Sequence, residues 1–173
     1  THNAAGVLTT ANGQTTNNPT WQRREFANTT GNTSLDFDLT FPMSFDATRP
    51  VNAQIFWLRG NGGGSGGNVL WEIKGDCIGS GDSLGAAVMG GSGAAPVTFT
   101  SPGGSSSTTS PLIITPELDI GGAIDDKQHA GTGLTFMQIT RARGLSGDKL
   151  DDVAYLMGIK LTYATANTSD GAP

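Results

Sequence analysis

The sequence predicts an all-β protein, an antiparallel β-sandwich or jelly roll, and three observations lead to this class. Glycine accounts for 26 of 173 residues, and only 14% are charged, a composition that disfavours helices and suits short strands joined by turns. Apolar and polar residues alternate over several short segments, as in strands with one buried face. Turn-forming residues separate seven or eight such segments, and none has a convincing helical period.

The chain is expected to form one domain with extended ends. Residues 1–33 are polar with few apolar anchors, too few to fold alone, so an extended N-terminal arm is predicted there. Residues 34–165 are expected to form the sandwich, and residues 166–173 a flexible C-terminal tail. Aromatic and arginine side chains dominate interfaces, and on that basis the predicted partner-binding residues of the arm are Trp21, Arg23, Arg24 and Phe26. The alternative is that they only pin the arm to its own sandwich.

The first strand of the sandwich is expected over residues 34–41, before Pro42. Strict alternation with polar residues predicts four inward side chains: Leu35, Phe37, Leu39 and Phe41.

Residues 53–59 and 68–78 are the next two expected strands. They flank the Gly/Ser-rich segment 60–67 and are interpreted as a hairpin in which Trp57 and Trp71 meet across the pair. The glycines also match a G-x-G-x-x-G spacing, but a strand follows them where a dinucleotide site requires a helix.

The middle of the chain is expected to hold short strands and long loops. Residues 97–100, 111–115 and 117–120 read as strands. The low-complexity segment 101–110 and the polar segment 121–132 read as exposed surface loops.

The closing segment is interpreted as a second hairpin around the polar turn 144–152. In its last strand, alternate residues are predicted to form an unbroken inward stripe: Val153, Tyr155, Met157, Ile159, Leu161 and Tyr163.

Charge and apolar patterning argue against several partners. The net charge is −5 and the basic residues are scattered, which does not suit nucleic-acid binding. No apolar run approaches the roughly 20 residues of a membrane span. The single cysteine, Cys77, is expected to be a small buried hydrophobe, and the absence of a signal peptide favours synthesis in a reducing cytoplasm.

Few residues can carry chemistry, so neither an enzyme nor a bound cofactor is expected. His2 and His129 have no third metal ligand in view and are expected to be solvated. Asp125 and Asp126 form one carboxylate cluster, and Asp148, Asp151 and Asp152 form another. Calcium binding is one interpretation of the two clusters, but the favoured one is that these residues form turns and solubilise hairpin tips, so no metal is expected.

Several motifs follow one another along the second half of the chain. They are a Trp-Glu-Ile strand at 71–73, a Gly-Asp-Ser-Leu turn at 81–84, an aromatic-centred strand ending in arginine at 136–143, a Gly-Asp-x-Leu turn at 147–150 and the closing strand at 152–163. Together they resemble a domain of small virion proteins of tailed bacteriophages. Gly158 matches that pattern, whereas Tyr155 stands where a basic residue is common. The likeness covers rather more than half of the chain.

The resemblance implies a jelly-roll-like sandwich in a phage particle, with no catalytic residues to carry over. The first hypothesis is a capsid decoration, or cement, protein on the virion surface, made in the host cytoplasm, that stabilises the shell by bridging major capsid protein subunits. A trimer is favoured because closed symmetry matches a local three-fold axis of the shell. The alternative is a tail-fibre or receptor-binding module that presents loops 60–67, 101–110 and 121–132 to a host surface glycan, although these loops contain no aromatic residue.

Overall fold

The computed structural model describes residues 8–11, 21–27, 31–60, 67–82, 95–103 and 112–166. These residues form two mostly antiparallel β-sheets, which confirms the predicted all-β sandwich. The helical structure in the described part of the chain consists of two single 3₁₀ turns, Gly121–Ala123 and Lys127–His129. The strands are β1 (Leu8–Ala11), β2 (Trp21–Phe26), β3 (Thr33–Leu39), β4 (Val51–Arg59), β5 (Asn68–Ile78), β6 (Val97–Pro102), β7 (Ile113–Ile114), β8 (Leu118–Asp119), β9 (Ile124–Asp125), β10 (Leu134–Arg141) and β11 (Ala154–Tyr163).

The strands divide between two sheets in an order that does not follow the sequence. The first sheet has the order β1-β2-β11-β4, and the short strands β7 and β8 both pair with the far edge of β4. The second sheet has the order β3-β10-β5-β6, and β9 lies parallel to the end of β5. Each long strand presents one face to the space between the sheets, and the core fills that space.

Three aromatic side chains form the centre of the core. Trp57 of the first sheet and Trp71 of the second are fully buried, with ring centroids 6.1 Å apart. Phe26 packs edge-to-face on Trp71, at 5.0 Å and 84°. These tilted geometries are the ones that aromatic quadrupoles prefer. The predicted inward residues of this segment also contact or join the core: Leu35, Phe37 and Leu39 of β3, and Phe41 two residues beyond its end.

Both predicted hairpins are wrong. β4 belongs to the first sheet and β5 to the second, and β10 and β11 are divided in the same way. Trp57 and Trp71 do meet, but across the core rather than across a strand pair. Alternation requires only that each strand bury one face, and a partner in the opposite sheet meets that requirement as well as a neighbour in the same sheet.

The predicted inward stripe of the last strand is wrong in its first half and correct for Ile159 and Leu161, because a β-bulge interrupts it. The pairing of β11 with β4 shifts register between Leu156 and Gly158. Before the shift, Ala154 and Leu156 are the buried residues; after it, Ile159 and Leu161 pack against the core. One extra residue in a bulge moves every following side chain to the other face.

The two ends of the described chain both extend the sandwich. β2 pairs with β11, so residues 21–26 of the expected arm form a strand of the first sheet. At the other end, Thr165 bridges Phe45, and the expected tail lies outside the described residues from position 167 onward.

The segment 121–132 is not simply an exposed loop, as the sequence suggested. It contains both 3₁₀ turns and strand β9, and three of its residues are buried. Those residues are Ala123, Ile124 and Ala130. Ile124 and Ala130 belong to the hydrophobic core, so the segment packs against the sandwich.

Candidate interaction surfaces

The outward face of the first sheet carries an apolar cluster. On β4, the outward residues of the cluster alternate with buried core residues. The other members lie opposite them on the neighbouring strands β7 and β11. We call it the apolar face, and it consists of Phe56, Leu58, Ile114 and Tyr155.

Strand register brings the members of the apolar face together. Phe56 lies opposite Ile114 on one side and Gly158 on the other, while Leu58 lies opposite Tyr155. Ile114 is 49% exposed, and a Cβ added at Gly158 would meet no atom within 4 Å. Ile114 and the position of Gly158 are therefore open to solvent, while Phe56, Leu58 and Tyr155 are partly buried. Contiguous apolar surface of this kind marks sites of protein association more often than isolated apolar residues do.

The outward face of the second sheet has the opposite character. Four carboxylates from β3 and β5 lie on it, and Lys74 is the one basic residue of these strands on that side. We call this surface the acidic face, and its carboxylates are Asp36, Asp38, Glu72 and Asp76. It is a solvated surface that repels anions and attracts cationic groups.

A polar groove of about 250 Å³ crosses the acidic face. Residues from β3, β5 and β10 form its floor, with Pro96 and Asn32 at its sides. Its lining is Asn32, Ser34, Glu72, Lys74, Pro96, Gln138 and Thr140. Thr140 points outward from the sheet and is still only 7% exposed, which shows that the floor of the groove is sheltered.

Asp76 lies where β5 meets β9, opposite Asp125 in register. Burial raises the pKa of Asp76, and Asp125, Asp126 and Asp82 raise it further by charge repulsion. In the described residues, no group of three or more His, Cys, Asp or Glu side chains is placed to hold a metal ion. The calcium interpretation of Asp125 and Asp126 therefore gains no support from the geometry.

A buried ion pair organises the connection from β10 to β11. Arg141 is 0% exposed and donates to both carboxylate oxygens of Asp148, at 3.0 and 3.1 Å. It also donates to the backbone carbonyls of Leu150 and Asp152, both at 2.7 Å. One guanidinium thereby fixes the path of the chain as it crosses between the sheets.

A second buried pair lies beside the first. Arg59 Nε is 3.3 Å from Asp152 Oδ2, and both side chains are almost fully buried. Asp148 and Asp152 are thus not solubilising residues of a hairpin tip, and that interpretation is wrong for both. Asp151 alone fits it, with a side chain that is 71% exposed.

Sequence reasoning missed these pairs although a signal was present. Arg141 follows Met137 and Ile139 at two-residue spacing, and Arg59 follows Trp57 in the same way. An arginine on the inward side of a strand needs a buried acceptor. The nearby aspartates could have been assigned to that role.

Cys77 and His129, the other titratable candidates in the described residues, each contact one neighbouring side chain. Cys77 is buried, as predicted, and burial raises the pKa of its thiol. Its Sγ lies 3.2 Å from Thr135 Oγ1. His129 is partly exposed, with Nδ1 3.2 Å from Asp82 Oδ2. His2 lies outside the described residues.

The structure separates the four predicted partner-binding residues. Phe26 is fully buried in its own sandwich, where its ring packs on Trp71. Arg24 is partly buried and lies opposite Leu156 in register. Trp21 and Arg23 pair through their backbones with β1, and their side chains are outside what the structure describes.

Comparison with known proteins adds no further assignment. In the described part of the chain, no helix is long and apolar enough to span a membrane. No family model matches the sequence, and no curated protein or solved structure matches it either.

Proposed function

We propose that the chain is a structural protein of a tailed-bacteriophage virion, a capsid decoration protein that binds the major capsid protein on the outer shell. The observation that carries the proposal is the contrast between the two outward faces of the sandwich. One carries an apolar cluster with polar residues such as Glu25, Gln54 and Lys160 around it, and the other is acidic. A protein that coats a shell needs one surface for contact and another that remains solvated.

The apolar face supplies the contact. Burying apolar surface is favourable by roughly 25 cal/mol per Å², and a stable interface buries about 800 Å² on each partner. Phe56, Leu58 and Tyr155 are rigid or bulky groups on a sheet, so they lose little conformational freedom on binding. The apolar face is suited to be the centre of such an interface, with the polar residues around it as the rim.

The acidic face supplies the solvated surface. Its carboxylates give neighbouring particles like charges, which disfavour association between particles. The motif resemblance in the second half of the chain supports the same proposal independently. Those motifs lie mainly in strands and turns that build the sandwich.

A homotrimer is part of this proposal. Leu112 is 50% exposed and lies at the edge of the first sheet, just before β7 and Ile114 of the apolar face. A neighbouring subunit packed there would close a ring with three-fold symmetry, as local three-fold positions of a shell require.

The test is binding to capsids that lack this protein, with matched charge substitutions. Ile114→Glu places a charge on the apolar face, and Leu145→Glu places one on the β10–β11 connection. The two side chains are similarly exposed, 49% and 45%, so neither substitution should unfold the protein. Wild type and L145E are expected to bind at hundreds of copies per particle, and I114E to bind at least tenfold more weakly.

Two results would overturn the proposal. One is equal capsid binding by I114E and L145E. The other is binding to host cells, with only a handful of copies in each virion. Sedimentation of the free protein tests the trimer separately, because a monomer at micromolar concentration contradicts that part alone.

A further inference from the structure

We propose that the groove on the acidic face is a binding site for a neutral oligosaccharide. The inference does not depend on the decoration role, because the groove lies on the opposite sheet from the apolar face. At about 250 Å³ it is smaller than the roughly 300–1,000 Å³ of sites for drug-sized ligands. One sugar ring matches that size.

The groove presents the types of group that recognise vicinal hydroxyls. Hydroxyls of Ser34 and Thr140, amides of Asn32 and Gln138 and the carboxylate of Glu72 all line it. Together they can both donate and accept hydrogen bonds. A polyol can bond to the donor and acceptor positions of these groups that their neighbours do not use, whereas an apolar ligand cannot.

Neighbouring contacts hold these groups in place before any ligand arrives. Gln138 Nε2 donates to Asp36 Oδ1 at 2.8 Å, and Ser34 Oγ lies 2.8 Å from Thr140 Oγ1. Asn32 Oδ1 accepts from the Gly144 backbone N–H at 2.9 Å. Side chains fixed on a sheet lose less entropy on binding than side chains on loops.

Electrostatics selects a neutral sugar. Inside the groove, Glu72 and Lys74 balance each other's formal charge. Around it, the other carboxylates of the acidic face repel anionic glycans at short range. Sialylated or sulfated sugars are therefore disfavoured.

Phe136 lies beside the groove, where its ring can contact a second sugar ring. Phe136 is partly exposed, and it lies outward on β10 two residues from Gln138, a separation of about 6.8 Å along a strand. Its ring can pack against the apolar face of the next sugar. The site therefore favours an oligosaccharide over a monosaccharide.

The test is an NMR titration of the full chain with three neutral trisaccharides: maltotriose, cellotriose and triacetylchitotriose. The side-chain amide signals of Asn32 and Gln138 report directly on the groove. At least one trisaccharide is expected to shift them saturably below 10 mM. Gln138→Ala is expected to weaken that binding at least tenfold.

The matched control is Gln54→Ala. Gln54 is also a half-buried amide on an outward sheet face, held by a bond from Nε2 to the Thr115 carbonyl at 3.0 Å. It lies on the first sheet, so its removal should leave sugar binding unchanged.

Three outcomes would overturn the inference. They are the absence of a saturable shift with all three sugars, equal binding by Q138A and wild type, and equal weakening by Q54A and Q138A. Phe136→Ala should weaken trisaccharide binding severalfold, and an unchanged affinity would contradict the second sugar contact. None of these results bears on capsid binding, which I114E tests on the other sheet.

Discussion

Replacing Arg141 with methionine should remove much of the protein's stability. The Arg141 side chain is fully buried. It binds both carboxylate oxygens of Asp148, which lies in the connection between the two sheets. Methionine fills a similar volume but donates no hydrogen bond. The R141M variant would therefore leave a buried carboxylate without its main partner, and would remove the guanidinium donor from the carbonyls of Leu150 and Asp152.

The expected loss follows from the cost of breaking a buried pair by removing one partner, about 3–5 kcal/mol. Arg143 Nη1 still lies 3.3 Å from Asp148 Oδ1, which keeps part of the charge compensation. The lower half of the range, about 3–4 kcal/mol, is therefore expected. Domains have only about 5–15 kcal/mol in total, so the variant should be marginally folded. The melting temperature should fall by roughly 6–16 °C.

Urea unfolding followed by tryptophan fluorescence measures this loss, because Trp57 and Trp71 are fully buried in the folded state. Arg49→Met is the control, since Arg49 is exposed and surface substitutions cost about 0.5 kcal/mol or less. A loss below about 1 kcal/mol in R141M would refute the reasoning. The double variant R141M/D148N removes both charges and should recover at least about 1 kcal/mol relative to R141M.

The remaining predictions concern the bulge, two glycines and one carboxyl. Inserting one alanine between Gly158 and Ile159 should turn Ile159 and Leu161 outward and cost at least about 3 kcal/mol in urea unfolding; a loss under about 1 kcal/mol would contradict the register that the bulge sets. Gly133→Ala should destabilise the protein strongly, because a methyl group there overlaps the Ile78 carbonyl. Gly158→Ala should be nearly neutral, because no atom lies near its site. Equal melting temperatures of the two variants would contradict this difference. Asp76→Asn should stabilise at pH 7: the folded pKa is raised, so the penalty of ionising is full at neutral pH and vanishes below the ordinary carboxyl pKa of about 3.9. If Asp76→Asn is still more stable than wild type at pH 3, the stabilisation does not come from the ionisation of Asp76.

The sequence was a good guide to individual strands. Alternation in 34–41 identified the inward residues correctly, and the burial of Cys77 followed from its chemistry. These properties depend on each segment's own need to bury one face. They hold whichever strand becomes the neighbour.

The sequence was a poor guide to strand partners and to the candidate surfaces. Phe56 and Tyr155 lie about 100 positions apart, and only the pairing of β4 with β11 places them on one face. The groove likewise depends on β10 lying between β3 and β5. No local pattern encodes such long-range choices, because their energy comes from the packed whole.

The sequence by itself determined that the chain is all-β, where most strands lie and which residues of β3 face inward. Those features follow from composition and from the two-residue period of a strand. Only the tertiary structure decided that β4 and β5 lie in opposite sheets, that a bulge divides β11, and that Arg141 and Asp148 are a buried pair. The physical reason is that burial constrains a strand's face, whereas its partner is chosen by packing and charge compensation among residues distant in the chain.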